Sequence, residues 1–158
     1  MEDHLAQGPN RQLLWQWSFL AVISLALAGG FAILLLLSRM PFTSENLPWP
    51  EGFFQKGLVA HVALSFVVWY LAVFGALNTA MVPNGLRISS VNLSLVLDKL
   101  AIFLCVAGTM AILIPAFRDQ GEPTLNNYIP VIIHPIFYSG LGLLALGIII
   151  SIVRVFIN

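Results

Sequence analysis

Two histidines, His61 and His134, are the residues of this sequence best suited to metal or proton chemistry. Each stands near the start of a long apolar stretch, where an ionisable side chain is costly to insert and by default indicates a function. An imidazole in such a place could ligate a haem iron, handle a proton or hydrogen-bond to a neighbouring helix or loop. The residues alone leave all three roles open.

Two further ionisable residues, Asp98 and Lys99, lie inside an apolar stretch. Adjacent positions on a helix differ by about 100 degrees, so the two side chains face different neighbours. We expect a local ion pair, or a Lys99 side chain that extends toward the lipid headgroups. The alternative is that Asp98 opens a proton path, although the next turns of its helix are almost wholly apolar.

The sequence lacks the residue patterns that other common site chemistries require. Cys105 is the only cysteine, so the chain offers no disulfide and no zinc framework. The sequence has no Gly-rich phosphate loop, no HExxH motif and no Ser-His-Asp set on one helical face. The net charge of zero gives no indication of a nucleic-acid partner.

The elements that position these residues are predicted to be transmembrane helices. Among 158 residues, 59% are hydrophobic and only 9% are charged, whereas soluble domains carry about 25% charged residues. A hydrocarbon core about 30 Å thick needs roughly 20 apolar residues of helix. Four stretches supply them, at residues 14–37, 58–82, 93–116 and 129–156. Because unpaired backbone groups are too costly in lipid, we predict an all-α fold, a single transmembrane domain over residues 1–158 that forms an antiparallel four-helix bundle.

Within this bundle both histidines are expected about four residues inside their helices. For His61 this is about 6 Å along the helix axis. The second and fourth helices of an up-and-down bundle begin on the same side, so the rings are predicted at matching depth. They could then hold a six-coordinate haem b between facing helices. Against this, Pro135 disfavours helical geometry at His134. The alternative for His134 is a structural role, in which its ring forms a hydrogen bond.

Tryptophans are expected to position the bundle in the bilayer, and glycines are expected to let its helices pack closely. Trp15, Trp17 and Trp49 lie at predicted helix ends and are expected to anchor the chain at the headgroup level. Small residues let membrane helices approach closely, so most of the glycines in the spans are expected to be packing positions. These glycines are Gly29, Gly30, Gly75, Gly108, Gly140, Gly142 and Gly147.

The sequence around His61 resembles a known family of membrane redox enzymes. The resemblance is carried by three consecutive parts of the sequence: the end of the first span with Arg39, a proline-bearing loop, and the stretch "GLVAHVALSFVVWYLAVFGAL". Together they are similar to the region of the second transmembrane helix of haem-copper oxidase (cytochrome c oxidase) subunit I. In that family a histidine near the start of this helix ligates the low-spin haem. The stretch "GEPTLNNYIPVIIHPIFYSGLGL" is similar to the loop and fourth helix of a divergent bacterial branch of subunit I-like proteins. The resemblance therefore implies that His61 is a haem axial ligand.

The resemblance covers nearly the whole chain but only about the first third of the family's usual twelve helices. The family's second low-spin haem ligand, its copper ligands and its oxygen-reducing centre lie on later helices. It therefore implies no copper site in this chain and no catalysis by the chain alone. It implies a truncated or split subunit of a respiratory electron-transfer complex in a bacterial or mitochondrial inner membrane, where partner subunits supply the missing helices. The alternative is a haem-free accessory subunit that stabilises such a complex.

Overall fold

The secondary structure is known for most of the chain from a computed structural model, which describes residues 9–46, 52–81, 91–125 and 129–157. These residues form six α-helices, one π-helical segment and two short strands. In chain order they are α1 (Pro9–Arg39), α2 (Pro41–Asn46), α3 (Phe53–Val62), the π segment (Ala63–Val68), α4 (Trp69–Met81), α5 (Val91–Phe117), β1 (Glu122–Thr124), β2 (Val131–Ile133) and α6 (Pro135–Ile157).

Four helical stretches are long and apolar enough to cross a membrane, which confirms the predicted all-α membrane fold at this level. They are Arg11–Arg39, Phe53–Met81, Val96–Phe117 and Pro135–Ile157. The stretch Phe53–Met81 consists of α3, the π segment and α4, which follow one another without a break. We call this continuous helix the second span.

The helices do not begin at the first residues of the predicted spans. The second span begins at Phe53 rather than at residue 58, because the polar Lys56 is taken into the helix and paired with Asp119 of the next loop. The last helix begins at Pro135 rather than at residue 129. Proline is favoured at the first position of a helix and disfavours helical geometry in the residue before it, so His134 stays outside α6.

The helix α1 runs antiparallel to the second span. Its early residue Trp17 contacts Gly75 near the end of that span, whereas its late residue Leu35 contacts Gly57 near the start. A Cβ atom at Gly75 would lie 2.6 Å from the indole of Trp17, so this ring needs a glycine opposite it. Trp17 is only 1% exposed, and the prediction that it anchors at the headgroup level is therefore wrong. Trp15 is 67% exposed, and Trp49 lies outside the described residues.

The helices α5 and α6 form the closest pair in the bundle. A Cβ atom at Gly108 would lie 2.7 Å from the carbonyl oxygen of Gly140, and one at Gly147 would lie 2.6 Å from Sγ of Cys105. The packing role is thus confirmed at these positions and at Gly75. Gly29, Gly30 and Gly142 are not packing positions within the described residues, since no described neighbouring atom lies within 4 Å of a Cβ position there.

A short β-hairpin closes one end of the bundle. β1 pairs antiparallel with β2, with Glu122 opposite Ile133 and Thr124 opposite Val131. Gly121 precedes it with a φ of 76°, and a Cβ atom there would lie 2.8 Å from the Ile133 carbonyl oxygen. We call this the hairpin end, and the opposite end, where α1 and α5 begin, the N-terminal end. The predicted all-α fold contained no strands.

Candidate functional site

The imidazole of His61 joins the second span to α1. Its Nδ1 atom lies 2.8 Å from the backbone carbonyl oxygen of Ala28, a buried residue of α1. A carbonyl oxygen only accepts hydrogen bonds, so Nδ1 carries the hydrogen and donates it. In the neutral ring the lone pair then belongs to Nε2. This tautomer leaves Nε2 able to ligate a metal.

This hydrogen bond is the kind that supports metal-ligating histidines elsewhere. Such residues commonly donate the other ring N–H to a carbonyl or carboxylate, which fixes the ring orientation and raises the basicity of the ligating nitrogen. His61 lies about 12 Å along the helix from Phe53. Its side chain is half-buried. An imidazole with this hydrogen bond could take one axial position of a haem.

The π segment begins two residues after His61. At its end the N–H of Trp69 bonds to the carbonyl oxygen of Leu64, five residues back, as a π-helix requires. The carbonyl oxygen of His61 accepts a 2.8 Å hydrogen bond from the hydroxyl of Ser65. Short π segments in helices are frequent at functional sites. The residue types carry no signal for this segment beyond the single hydroxyl of Ser65 in an apolar run.

The imidazole of His134 caps α6. Its Nδ1 atom accepts a 3.3 Å hydrogen bond from the backbone N–H of Ile136, and its carbonyl oxygen accepts from the N–H of Tyr138. Both contacts are those of a helix N-cap. Because Nδ1 accepts here, the hydrogen of the neutral ring lies on Nε2, the opposite tautomer to that of His61. His134 has the structural role given above as an alternative.

The two histidines lie at different positions relative to the first residues of their own helices. His61 follows the first residue of its span by about two turns, whereas His134 precedes the first residue of α6. Matching depth stays a prediction, and the hydrogen bond between Asn78 and Ser151 agrees with it, since each of these residues follows its histidine by the same number of positions. A ligand role for His134 stays a prediction, and it would require the capping hydrogen bond to break.

An ion pair lies at the hairpin end beneath His61. Nζ of Lys56 is 2.6 Å from Oδ1 of Asp119, and Lys56 is only 7% exposed. Asp119 has a φ of 54°, a conformation that turns the chain sharply after α5. The pair ties the start of the second span to the loop before β1. Sequence reasoning missed it because Lys56 and Asp119 lie outside the predicted spans and are 63 positions apart in the chain.

A second buried ion pair lies at the N-terminal end. Nε of Arg154 on α6 is 2.8 Å from Oδ1 of Asp98 on α5, and their side chains are 2% and 4% exposed. The prediction of a local pair between Asp98 and Lys99 is wrong, because adjacent helix positions diverge and α6 presents Arg154 to the face of Asp98. Lys99 is exposed, as expected of a side chain that reaches toward headgroups.

A polar contact extends this N-terminal pair to the second span. Nδ2 of Asn78 donates to the hydroxyl of Ser151 at 3.4 Å, and both residues are buried. Ser151 precedes Arg154 by about one turn on α6, so the two lie on the same side of that helix. The second span, α5 and α6 are therefore joined by polar contacts at this end.

The described residues contain no group of three or more His, Cys, Asp or Glu side chains that could hold a metal ion. A haem iron needs fewer protein ligands, because the porphyrin supplies four of its own. His61 is thus the described side chain whose tautomer and packing suit an axial position.

Comparison with known proteins gives relatives without a stated function. The chain matches no family model and no solved structure. It is 29% identical over 138 residues to an "Uncharacterized protein" of Aquifex aeolicus (strain VF5), which covers 87% of this chain and 32% of the relative. It is 26% identical over 166 residues to an uncharacterized protein of Rickettsia prowazekii (strain Madrid E), covering 92% of this chain and 31% of the relative. The chain therefore spans about a third of the length of these curated relatives.

Proposed function

We propose that this chain contributes one axial haem ligand, His61, to an electron-transfer membrane complex similar to haem-copper oxidases. The proposal places the complex in a bacterial or mitochondrial inner membrane. The observation that carries it is the 2.8 Å hydrogen bond from Nδ1 of His61 to the carbonyl oxygen of Ala28, which leaves the Nε2 lone pair for iron.

The residues of the chain would act on a haem b in three ways. Bound haem b supplies reversible one-electron transfer. His61 would bind it through Nε2, Ala28 would hold the ring of His61 in place, and the packed α1 would keep water from the rear of the imidazole. The π segment beside His61 supports the proposal, since such segments are frequent at functional sites.

The second axial ligand would come from a helix that is not among the four spans described. The N-cap hydrogen bond of His134 supports an external ligand over an internal pair, because a capping Nδ1 and a ligating Nε2 require different tautomers. The curated relatives are about three times as long as the aligned region, which leaves room in them for further helices. In this account the chain is not catalytic alone.

A haem-free accessory subunit is the second candidate function. It is favoured by the same contact, since a hydrogen bond between His61 and α1 satisfies the imidazole without any ligand. In that case deletion of the chain would impair assembly of the complex but leave electron flow per assembled unit unchanged. Haem ligation predicts instead that electron flow per assembled unit falls.

Haem content in two variants separates these functions. In the complex purified with its native partners, His61→Ala is expected to lose one haem b per chain, measured by haem extraction and quantified against the subunit. His134→Ala is the matched control and is expected to retain it. Loss of haem in both variants would indicate the internal histidine pair, and retention in both would reject His61 as a ligand.

A further inference from the structure

A groove runs between α1 and α5 toward the N-terminal end of the bundle. Its volume is about 330 Å³. Because α1 packs chiefly against the second span and α5 packs chiefly against α6, the groove stays open between these two helices. The side chains along its rim are 42–67% exposed, and they are Trp15, Phe19, Leu27, Val106 and Met110. We call this feature the α1–α5 groove.

The length and lining of the α1–α5 groove suit one acyl chain. Trp15 and Leu27 are twelve residues apart, about 18 Å along the axis of α1. This length is close to half the thickness of a hydrocarbon core, about 15 Å. Apart from the indole N–H, the polar groups among the ten described lining residues are those of Gln16 and Thr109. The hydroxyl of Thr109 already donates to the carbonyl oxygen of Cys105 at 2.8 Å, so the floor of the groove offers a ligand mainly apolar contacts.

Lys99 places a positive charge at the N-terminal end of this groove. It precedes Val106 and Met110 by about two and three turns of α5, so the three residues share one face of that helix. Lys99 is exposed, and in the described part of the chain it has no ion-pair partner. The neighbouring Asp98 does not neutralise it, because that carboxylate is buried and paired with Arg154 of α6. The ammonium of Lys99 is therefore available to an anionic ligand.

The α1 side of the same end suits a lipid headgroup. Trp15 is 67% exposed, and its ring stacks on that of Phe19 with the centroids 5.4 Å apart. Amphipathic indole rings are enriched at the headgroup level of membranes. The side-chain amide of Gln16 can donate a hydrogen bond to a phosphate or ester oxygen there. The described residues at this end carry three basic side chains and one acidic side chain, which are Arg11, Lys99, Arg154 and Asp98. A headgroup complementary to this charge is anionic.

We propose that the α1–α5 groove binds an anionic phospholipid. One acyl chain lies along the groove between Trp15 and Leu27, and the phosphate pairs with the ammonium of Lys99. Basic pockets between transmembrane helices bind anionic headgroups in this way. The site does not depend on haem ligation, and it holds equally for a redox subunit and for an accessory subunit.

Photoactivatable lipids test this binding. The chain is reconstituted with its native partners in phosphatidylcholine vesicles that contain a small fraction of phosphatidylglycerol, or of phosphatidylcholine, with a photoreactive acyl chain. The phosphatidylglycerol probe is expected to label the residues of the α1–α5 groove about fivefold more than the phosphatidylcholine probe does. At Ile149 of α6, which is 55% exposed, the two probes are expected to label equally. Equal labelling in the groove, the same excess at Ile149, or a groove that neither lipid labels would overturn the proposal.

A pair of charge variants tests the contact with the headgroup. Lys99→Gln is expected to lower labelling of the groove by phosphatidylglycerol about fivefold and to leave labelling by phosphatidylcholine unchanged. Arg118→Gln is the matched control, because it removes an exposed positive charge at the hairpin end, and it is expected to label as the unmodified chain does. Unchanged labelling in Lys99→Gln, or an equal loss in the two variants, would reject Lys99 as the phosphate partner.

A pair of size variants tests the place of the acyl chain. Val106→Phe fills part of the groove and is expected to lower its labelling by both probes. Val153→Phe on α6 is the control, since both valines are 43% exposed, and it is expected to leave labelling of the groove unchanged. Equal labelling of the groove in these two variants would show that the acyl chain does not lie there.

Discussion

The hydrogen bond of His61 to Ala28 assigns different roles to the two ring nitrogens. Nδ1 joins the second span to α1, and the same bond leaves the Nε2 lone pair directed away from that contact. Structural support therefore rests on Nδ1, and the proposed haem ligation would use Nε2. A substitution that keeps a donor in the place of Nδ1 and removes Nε2 can separate the two roles.

The variant His61→Asn provides this separation. The amide nitrogen of asparagine takes nearly the place of Nδ1, so the hydrogen bond to Ala28 is expected to persist and the free energy of unfolding to stay near that of the unmodified chain. His61→Ala loses the hydrogen bond and is expected to be about 1 kcal/mol less stable. Unfolding in mixed micelles with increasing denaturing detergent measures both. Equal loss of stability in the two variants would contradict the role given to Nδ1.

Sequence reasoning predicted the chemistry of single residues better than their partners. The position of His61 inside a helix followed from the apolar run around it. The acceptor at Ala28 could not be predicted, because it depends on how α1 packs against the second span, and a backbone carbonyl carries no signal in the residue types. Arg154 was missed for the same reason, since its carboxylate partner is 56 positions away in the chain.

At the scale of elements, α5 and α6 are joined by close contacts at Gly108, Gly140 and Gly147, which we call the glycine seam, and by a buried ion pair. Lipid gives membrane helices no hydrophobic reason to choose one register, so close packing and polar contacts must do so. Gly108 and Gly140 meet toward the hairpin end of the pair, and Asp98 and Arg154 meet at the N-terminal end. Each contact can be tested with a control from the same helices.

Asp98 and Arg154 are expected to be strongly coupled. Removing one partner of a buried ion pair typically costs about 3–5 kcal/mol, whereas replacing both by apolar residues is often nearly neutral. We therefore expect Asp98→Leu and Arg154→Met each to lower the free energy of unfolding, and the double variant to be more stable than either. A double-mutant cycle on detergent unfolding measures this coupling. Additive losses would show that the pair contributes nothing as a pair.

The glycine seam is expected to tolerate no side chain. In Gly108→Ala the new methyl group would lie 2.7 Å from the Gly140 carbonyl oxygen, so α5 and α6 must move apart at a cost of about 1–3 kcal/mol. Gly142→Ala on α6 meets no described atom within 4 Å. That control is expected to be neutral or to gain about 0.5–1 kcal/mol from helix propensity. Equal thermal stability of the two variants would contradict the packing described.

The elements were predictable to different degrees. Long apolar runs gave the four spans, because a bilayer leaves a helix as the only way to satisfy their backbones. The hairpin β1–β2 was not predicted, since its strands are only three residues long and their pairing depends on Gly121 and the turn after α5. The π segment was not predicted either, because its residues suit an ordinary α-helix equally well.

At the scale of the whole molecule, the proposed haem ligation uses one ligand from the four described spans. His61 would supply it from within the second span, and the proposal takes the other axial ligand from further protein. The curated relatives extend over about three times the aligned region, which leaves room in them for further helices.

A reduced-minus-oxidised absorption spectrum tests haem ligation most directly. The measurement is made on the purified chain alone and on the chain isolated with its native partners. We predict the bands of a b-type cytochrome in the assembly, at one haem b per chain beyond that of an assembly carrying His61→Asn, which keeps the fold and removes the ligand. The absence of such a signal in both preparations, or an unchanged signal in His61→Asn, would contradict the proposal that His61 ligates haem.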